Sequence, residues 1–143
     1  MILKLGIPKG SLQESTVRLF NKAGFNISIG ERSYFPLFDD AEINSILIRA
    51  QEMSKYVESG ALDCGITGND WVLENKSNVA TVIELLYAKK GLVPVRWVIA
   101  VPKGSAVKNV CDLKGKRIVT ELVKVTEGFL KKIHWVVIIG APS

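Results

Sequence analysis

The chain has 143 residues, of which 48% are hydrophobic and 23% charged, and its formal net charge at pH 7 is +5. This composition can build a hydrophobic core, which excludes a disordered tail and a disulfide-dependent miniprotein. No apolar run approaches the roughly 20 residues that span a bilayer, and the N-terminal stretch MILKLGIPKG is too soon broken to be a signal peptide. We therefore expect a cytoplasmic protein without a membrane partner.

The positive net charge suits anionic partners, either nucleic acid or phosphorylated small molecules. The lysines and arginines are spread along the chain instead of forming a basic block, and aromatic residues do not interleave with them. This spacing favours small phosphates, and we expect no nucleic-acid partner. Cys64 and Cys111 lack CxxC spacing and His134 is the sole histidine, so we expect reduced thiols, no metal-ligating cluster and no Ser-His-Asp chemistry.

Strands and helices alternate along the first part of the chain. Apolar runs and period-two alternation predict strands, whereas apolar residues at helical spacing predict helices. The predicted elements, in chain order, are a strand over 2–7, a helix over 11–23, strands over 25–29 and 43–49, a helix over 50–60, a strand over 63–67, a helix over 69–75 and a strand over 79–86.

Three of these helix ends carry recognisable signals. Ser11 and Glu14 have the S-x-x-E spacing of a capping box at the first helix, which Gly24 ends. Asn69 or Asp70 is expected to cap the third helix, because short polar side chains accept hydrogen bonds from first-turn amides.

The alternation breaks at YAKKGLVPV (87–95). Beyond it, the predicted elements are a strand over 96–105, a loop leading into a strand over 111–121, a helix over 122–132 and a strand over 135–139. Strands separated by helices of about a dozen residues predict an α/β fold with a largely parallel sheet flanked by helices. We expect two α/β lobes, residues 1–93 and residues 94–143, hinged at the break.

Two turns in this pattern are candidates for anion binding. Ligands of open parallel sheets bind where strand C-termini meet helix N-termini, because the helix dipole is positive there and glycine lets an anion approach the backbone. The PKGS turn and the ITGND turn place the following residues at such points: Lys9, Gly10 and Ser11, and Thr67, Gly68 and Asp70. If both turns lie at one edge of the sheet, they line one crevice. From the residues alone, a loop with a good helix cap explains the PKGS turn equally well.

Longer stretches of the sequence resemble the catalytic chain of the ATP phosphoribosyltransferases of histidine biosynthesis. They are LGIPKGSLQESTVRLFNKAGF (5–25), RSYFP with DD (32–36 and 39–40), LIRAQEMSKYVESGALDCGITGNDWVLE (47–74) and VPKGSAVKNVCDLKGKRIVTE (101–121). The stretches cover most of the chain in the family's order, and their combination is specific although no single stretch is. RSYFP, DD and GITGNDW resemble the long form of the family, which carries its own regulatory domain.

The resemblance implies a two-lobed fold like that of type II periplasmic binding proteins, each lobe a mainly parallel sheet flanked by helices, with the active site in the cleft. The implied reaction is attack by N1 of the adenine of ATP on C1′ of phosphoribosyl pyrophosphate. Pyrophosphate leaves, and Mg²⁺ assists. Members of the family form hexamers from dimers, so the resemblance also implies a homo-oligomer.

The resemblance also assigns roles to individual residues. By position, Arg49 is expected to grip pyrophosphate and Arg32 to contact the nucleotide, both as catalytic residues. The PKGS turn becomes the rim of the nucleotide site and the ITGND turn its floor. Glu121 matches a family glutamate that faces the cleft, where it can bond ribose hydroxyls or help to hold Mg²⁺. Without the resemblance, the arginines are solvated surface residues, Asp70 is a helix cap and Glu121 is an ordinary first-turn glutamate.

The chain departs from the family in one respect. Family members carry a phosphate loop, an acidic stretch followed by Glu-Thr-Gly-Thr and a leucine, after the last strand of the second lobe, and this sequence contains none. We therefore expect a C-terminally truncated fragment whose second lobe is incomplete. The alternative function is a two-lobed solute-binding module without catalysis, which the DLKGKRI segment also suits. Such a receptor would usually need an export signal.

Overall fold

The computed structural model describes residues 1–85, 96–133 and 138–140. The chain divides into two compact units, Met1–Val93 and Pro94–Ser143, which we call the first and the second unit. The strands are β1 (Leu3–Lys9), β2 (Ile27–Ser28), β3 (Leu37–Phe38), β4 (Ile43–Arg49), β5 (Cys64–Gly65), β6 (Arg117–Val119) and β7 (Ile138–Gly140). The helices are α1 (Gln13–Lys22), α2 (Ala50–Glu58), α3 (Asn69–Asn75) and α4 (Val123–Lys132), and a 3-10 turn spans Val110–Leu113. Within these ranges, no helix has the length and apolar character needed to cross a membrane.

The first unit contains a three-stranded parallel sheet in the order β4-β1-β5. β1 and β4 pair along their whole length, from Leu3 beside Ile43 to Lys9 beside Arg49. β5 pairs with the middle of β1 on the other side, and a separate antiparallel pair joins β2 to β3. Because the three strands of the larger sheet run in the same direction, their carboxyl ends meet at one edge.

One face of this sheet forms the hydrophobic core of the first unit. Leu5, Ile7 and Leu47 alternate along β1 and β4 and are each at most 6% exposed. Partly buried side chains from α1, β2 and β3 pack against them, including Phe20 and Phe38, whose rings meet edge to face with centroids 5.2 Å apart. Burying one aliphatic side chain of this size contributes about 1.5–3 kcal/mol, so this face anchors β1 and β4 in register.

On the opposite face, α2 approaches the sheet closely because two strand residues there are glycines. A Cβ atom on Gly6 would collide with the sulfur of Met53 and lie 2.8 Å from Cδ1 of Leu62. A Cβ atom on Gly65, the register neighbour of Gly6 in β5, would lie 2.7 Å from Cγ of Met53. The two glycines therefore form the slot that receives Met53, which is 1% exposed.

Polar bonds hold α3 against α2. The side-chain amide of Asn75, at the end of α3, donates to the carbonyl oxygen of Gln51 at 2.7 Å and to the hydroxyl of Ser54 at 2.9 Å. The hydroxyl of Ser77 also bonds that of Ser54, at 3.0 Å. Ser54 is almost fully buried, so this network satisfies a hydroxyl that would otherwise be costly to bury.

The second unit pairs β6 with β7 in parallel. Among its residues of described burial, the buried apolar side chains are Leu113, Leu122 and Leu130. The 3-10 turn is capped reciprocally: the side chain of Asn109 accepts from first-turn amides, and the carboxylate of Asp112 accepts from the Asn109 amide at 3.1 Å. These bonds fix the chain just before β6.

The predicted α/β fold with a parallel sheet is confirmed. The strand over 43–49 and the helix over 69–75 have the predicted bounds. The first strand, the first two helices and the helix over 122–132 end within two residues of the predictions. The strands predicted over 25–29 and 63–67 are reduced to two residues each, β2 and β5. β7 overlaps the strand predicted over 135–139, of which 135–137 lie outside the described residues.

The predicted helix caps are wrong. Gly10 has a φ of +100°, and the Gln13 amide bonds the Gly10 carbonyl at 3.0 Å, so Ser11 lies inside a tight turn. Leu12 therefore takes the cap position of α1 without a side-chain bond. At α3 the cap is Gly68, again without a side-chain bond, because the helix already begins at Asn69. The helix stop predicted at Gly24 is confirmed, with a φ of +96° there.

The strands predicted over 79–86 and 96–105 are also wrong. Residues 79–85 and 96–105 have no regular secondary structure, and 86 lies outside the described residues. Val82 and Trp97 are 91% and 57% exposed. A strand is stable only where a neighbour pairs its backbone groups, and no described strand pairs with either segment.

Candidate functional site

The two candidate turns lie at the same edge of the parallel sheet. β1 ends at Lys9 and β4 ends at Arg49, its register partner. β5 runs in the same direction beside β1, so the ITGND turn that follows it leaves the sheet at that edge too. The geometry required for one crevice, both turns at one sheet edge, is therefore present in the first unit.

Lys9 and Arg49 form a pair of adjacent cations at this edge. Both side chains are exposed, and neighbouring strands stand only about 4.8 Å apart. Alternation places them on the same face of the sheet as Ile7 and Leu47, two residues earlier in each strand. No carboxylate in the described part of the chain pairs with either cation. Two uncompensated positive charges side by side favour an anion that reaches both.

Tyr34 completes this cluster, although no role was predicted for it from the sequence. The Nζ atom of Lys9 lies 4.1 Å from the centroid of the Tyr34 ring. The pKa of the Tyr34 phenol is lowered from its ordinary value, first because the Lys9 ammonium bonds and attracts the phenolate, and to a smaller extent because of the Arg49 charge. In the sequence, the one feature that could have indicated a role for this tyrosine was its position as an aromatic residue in the polar loop RSYFP. What places it here is a backbone bond from the Leu47 amide to the Tyr34 carbonyl, 2.7 Å long.

The other residues of the PKGS turn are placed by the backbone. Gly10 adopts a left-handed conformation that most side chains resist, and a Cβ atom there would meet no atom within 4 Å. Glycine is therefore favoured at this position because of its backbone conformation, and not because neighbouring atoms of the first unit leave no room for a side chain. Ser11 is exposed beside it, so its hydroxyl is accessible at the edge.

The ITGND turn is tied to the start of α2. The hydroxyl of Thr67 donates to the carbonyl oxygen of Ala50 at 2.7 Å, directly after Arg49. The carboxylate of Asp70 folds back over Gly68, where any Cβ atom would collide with it, and accepts from the Trp71 amide at 3.0 Å. These bonds fix the shape of the turn and its distance from the strand that carries Arg49.

Two further site residues were predicted, Arg32 in the first unit and Glu121 in the second. Arg32 is exposed in a turn closed by the Ser33 amide and the Gly30 carbonyl, 3.0 Å apart, and bonds no side chain in the described ranges. Glu121 belongs to the second unit, between β6 and α4, where it is exposed on a concave surface together with Thr120 and Thr126.

Comparisons with known proteins point to one family. The family model described as HisG, ATP phosphoribosyltransferase, matches residues 49–141. The ATP phosphoribosyltransferase of Thermodesulfovibrio yellowstonii is 60% identical over 130 residues, which are 91% of this chain and 44% of that protein. The one of Chlorobium phaeovibrioides is 55% identical, with the same coverage.

A solved structure agrees with the sequence relatives. It is described as the ATP phosphoribosyl transferase (HisG:HisZ) complex from Thermotoga maritima, and it matches with a TM-score of 0.73 and 27% identity over 99% of this chain and 65% of that chain. The chain spans less than half the length of the curated relatives named above. Because the family model matches well over half of the sequence, the chain belongs to the ATP phosphoribosyltransferase family.

Proposed function

We propose that this chain supplies the nucleotide side of the active site of an ATP phosphoribosyltransferase. The reaction is attack by N1 of the adenine of ATP on C1′ of phosphoribosyl pyrophosphate, with release of pyrophosphate, as the first step of histidine biosynthesis. Relatives at 55–60% identity that carry this enzyme name support the proposal. The structural observation that carries it is the pair of uncompensated cations, Lys9 and Arg49, in register at the carboxyl edge of the first sheet.

The proposed reaction needs positive charges near the leaving pyrophosphate. As the bond from C1′ to pyrophosphate breaks, positive charge develops on the ribose and negative charge on the leaving group, so fixed cations near the latter lower the barrier. Arg49 presents a planar guanidinium that can bind two phosphate oxygens at once. Lys9 adds a compact charge beside it. The backbones of both residues are held at the ends of paired strands, so only the side chains have to adjust when the anion arrives.

The neighbouring residues line the site in this proposal. Gly10 and Ser11 form the rim of the nucleotide pocket, where the bare backbone and the hydroxyl contact phosphate oxygens. Thr67, Gly68 and Asp70 form its floor, and two observations support that role: Thr67 bonds Ala50 at the start of α2, and the Asp70 carboxylate folds over Gly68. Arg32 contacts the nucleotide from the adjacent loop, by stacking or by phosphate pairing.

Mg²⁺ fits this scheme as an ion that enters with substrate. It keeps several waters and is held by one or two carboxylates together with substrate phosphates. The described residues contain no group of three or more His, Cys, Asp or Glu side chains that could hold a metal, which suits such an ion. We propose that it neutralises charge on pyrophosphate, and that Glu121 either helps to hold it or bonds the ribose hydroxyls.

The architecture and the assembly belong to the same proposal. We propose that the two units correspond to the two lobes of a fold like that of type II periplasmic binding proteins. We also propose a cytoplasmic homo-oligomer, a hexamer built from dimers; the Thermotoga maritima neighbour is itself described as a complex. A solute-binding module without catalysis is not favoured, because the family and its named relatives are transferases.

A chimeric enzyme tests the function directly. It begins with this chain and continues with the part of the Thermodesulfovibrio yellowstonii relative that the chain does not cover. We expect pyrophosphate release that requires both ATP and phosphoribosyl pyrophosphate. In the chimera, Arg49→Met should lower kcat/KM about 100-fold, the scale of losing one preorganised donor to developing charge.

The matched control is Arg18→Met, because Arg18 is an exposed arginine on α1 that pairs with Glu14 of the same helix at 3.3 Å. It should leave kcat/KM within about two-fold of the parent chimera, since exposed ion pairs contribute little. A chimera that is folded and oligomeric but inactive, beside an active intact relative, would refute the proposal. Equal losses in the two arginine variants would refute the role of Arg49.

A further inference from the structure

The segment that carries Tyr34 is fastened to β4 close to Arg49. The amide of Leu47 donates to the carbonyl of Tyr34 at 2.7 Å, and the buried hydroxyl of Ser45 donates to the carbonyl of Pro36 at 2.9 Å. The two bonds lie two residues apart on β4 and two residues apart in the loop. The loop backbone therefore follows the edge of β4 almost to its end, which leaves the Tyr34 side chain little freedom of position.

From this fixed backbone, the Tyr34 ring reaches across to the next strand. Its centroid is 4.1 Å from Nζ of Lys9, within the range in which an ammonium is attracted to the negative face of an aromatic ring. Tyr34 thus connects the ends of both strands, β4 through its backbone and β1 through its ring. Tyr34 remains 53% exposed, so a ligand at the edge can reach the cluster.

Lysine needs such a fixed neighbour more than arginine does. Its ammonium sits on a flexible stem of four carbons, and Lys9 has the Arg49 guanidinium as its register neighbour. Repulsion between like charges favours rotamers that separate them. An attractive aromatic face on one side offsets this repulsion and selects rotamers in which the ammonium stays near the guanidinium.

We propose that Tyr34 is a positioning residue that holds the Lys9 ammonium beside Arg49, so that the two cations bind one pyrophosphate-type anion. The inference rests on the proposed function, because it needs an anion at this edge. The inference adds a residue to the proposed site, Tyr34, which acts through Lys9 and does not itself have to touch the phosphate oxygens. The face of the ring attracts the Lys9 ammonium, and the hydroxyl bonds it as well.

Calorimetric titration of the 143-residue chain with inorganic pyrophosphate tests the inference. Tyr34→Leu should raise the dissociation constant about two- to five-fold, the range of an exposed ammonium–aromatic contact. Tyr34→Phe keeps the ring face but removes the hydroxyl that bonds Lys9, so it should raise the dissociation constant less than Tyr34→Leu does. In a Lys9→Met background, Tyr34→Leu should have no further effect, which a residue acting only on the fold would not show.

The control is Tyr56→Leu, which removes an exposed tyrosine of α2 and should leave the affinity unchanged. If the unchanged chain binds pyrophosphate and Tyr34→Leu binds it equally well, the inference is wrong and the proposed function stands. A loss that persists in the Lys9→Met background also overturns it, because Tyr34 would then act independently of Lys9. If the unchanged chain shows no binding at millimolar pyrophosphate, the anion site fails and the inference fails with it.

Discussion

The slot between Gly6 and Gly65 makes a quantitative prediction about the sheet that carries the site. Met53 is 1% exposed, and Met53→Ala removes three heavy atoms. At about 0.8 kcal/mol for each methylene-sized group, the transfer loss is about 2.4 kcal/mol. The residual cavity raises the expected loss of unfolding free energy to about 3 kcal/mol, within the range seen for such truncations.

Gly6→Ala acts on the same slot from the other side. The new methyl group would meet the Met53 sulfur and lie 2.8 Å from Leu62 Cδ1, so overpacking should cost about 1–3 kcal/mol. In a Met53→Ala background the sulfur is gone and only the flexible Leu62 end has to move. The cost of Gly6→Ala should then fall below about 1 kcal/mol, which corresponds to a coupling of about 1–2 kcal/mol between the two sites.

Urea unfolding at neutral pH measures these values. The chain has three tryptophans, so Trp97→Phe and Trp135→Phe leave Trp71 as the reporter of the first unit. Gly128→Ala is the matched control, because a Cβ atom on this α4 glycine meets no atom within 4 Å, and it should leave the Trp71 transition unchanged. If the costs of Gly6→Ala and Met53→Ala add within about 0.5 kcal/mol, the two residues are uncoupled and the steric argument is refuted.

Two further predictions concern polar contacts of the first unit. Asn75→Ala removes the donor to Gln51 and to the buried Ser54, and it should lower the unfolding free energy by about 1–3 kcal/mol; an effect below that of Ser77→Ala in the same urea assay would contradict the network. Asp39 accepts from the backbone and side-chain amides of Asn26, and these bonds lower its pKa from the ordinary value of 3.8. Its contribution to stability is therefore present above pH 3.8 and is lost as the pH falls below that value. Asp39→Asn should make the first unit less stable at pH 6 and should flatten the decline in stability towards pH 3, whereas an unchanged decline would show that other carboxylates cause it.

Local periodicity was sufficient to predict most of the elements. The strand over 43–49 and the helix over 69–75 were predicted to the residue, because each is a continuous pattern whose partner surface lies in the same unit. The segments around Val82 and Trp97 have equally good apolar patterns, but no described strand pairs with them. Periodicity reports which face of a segment is apolar; it does not report whether another strand pairs with it.

The candidate site was predictable in outline for a different reason. Parallel strands place their carboxyl ends at one edge, so the joint location of the PKGS and ITGND turns follows from the alternation of strands and helices. The adjacency of Lys9 and Arg49 depends on strand register, and the position of Tyr34 depends on a bond to Leu47 thirteen residues later. Neither of these two features can be predicted from a local sequence pattern, and for that reason no role was predicted for Tyr34.

The pairing of β1 with β4 also constrains how this chain can change over evolution. Sliding β1 by a single residue would turn Ile7 away from the core and set Pro8 instead of Lys9 beside Arg49. The packing of β1 and the adjacency of Lys9 and Arg49 therefore depend on the same strand register. Selection that preserves this packing also keeps positions 9 and 49 side by side, so that adjacency is lost only if the fold is weakened.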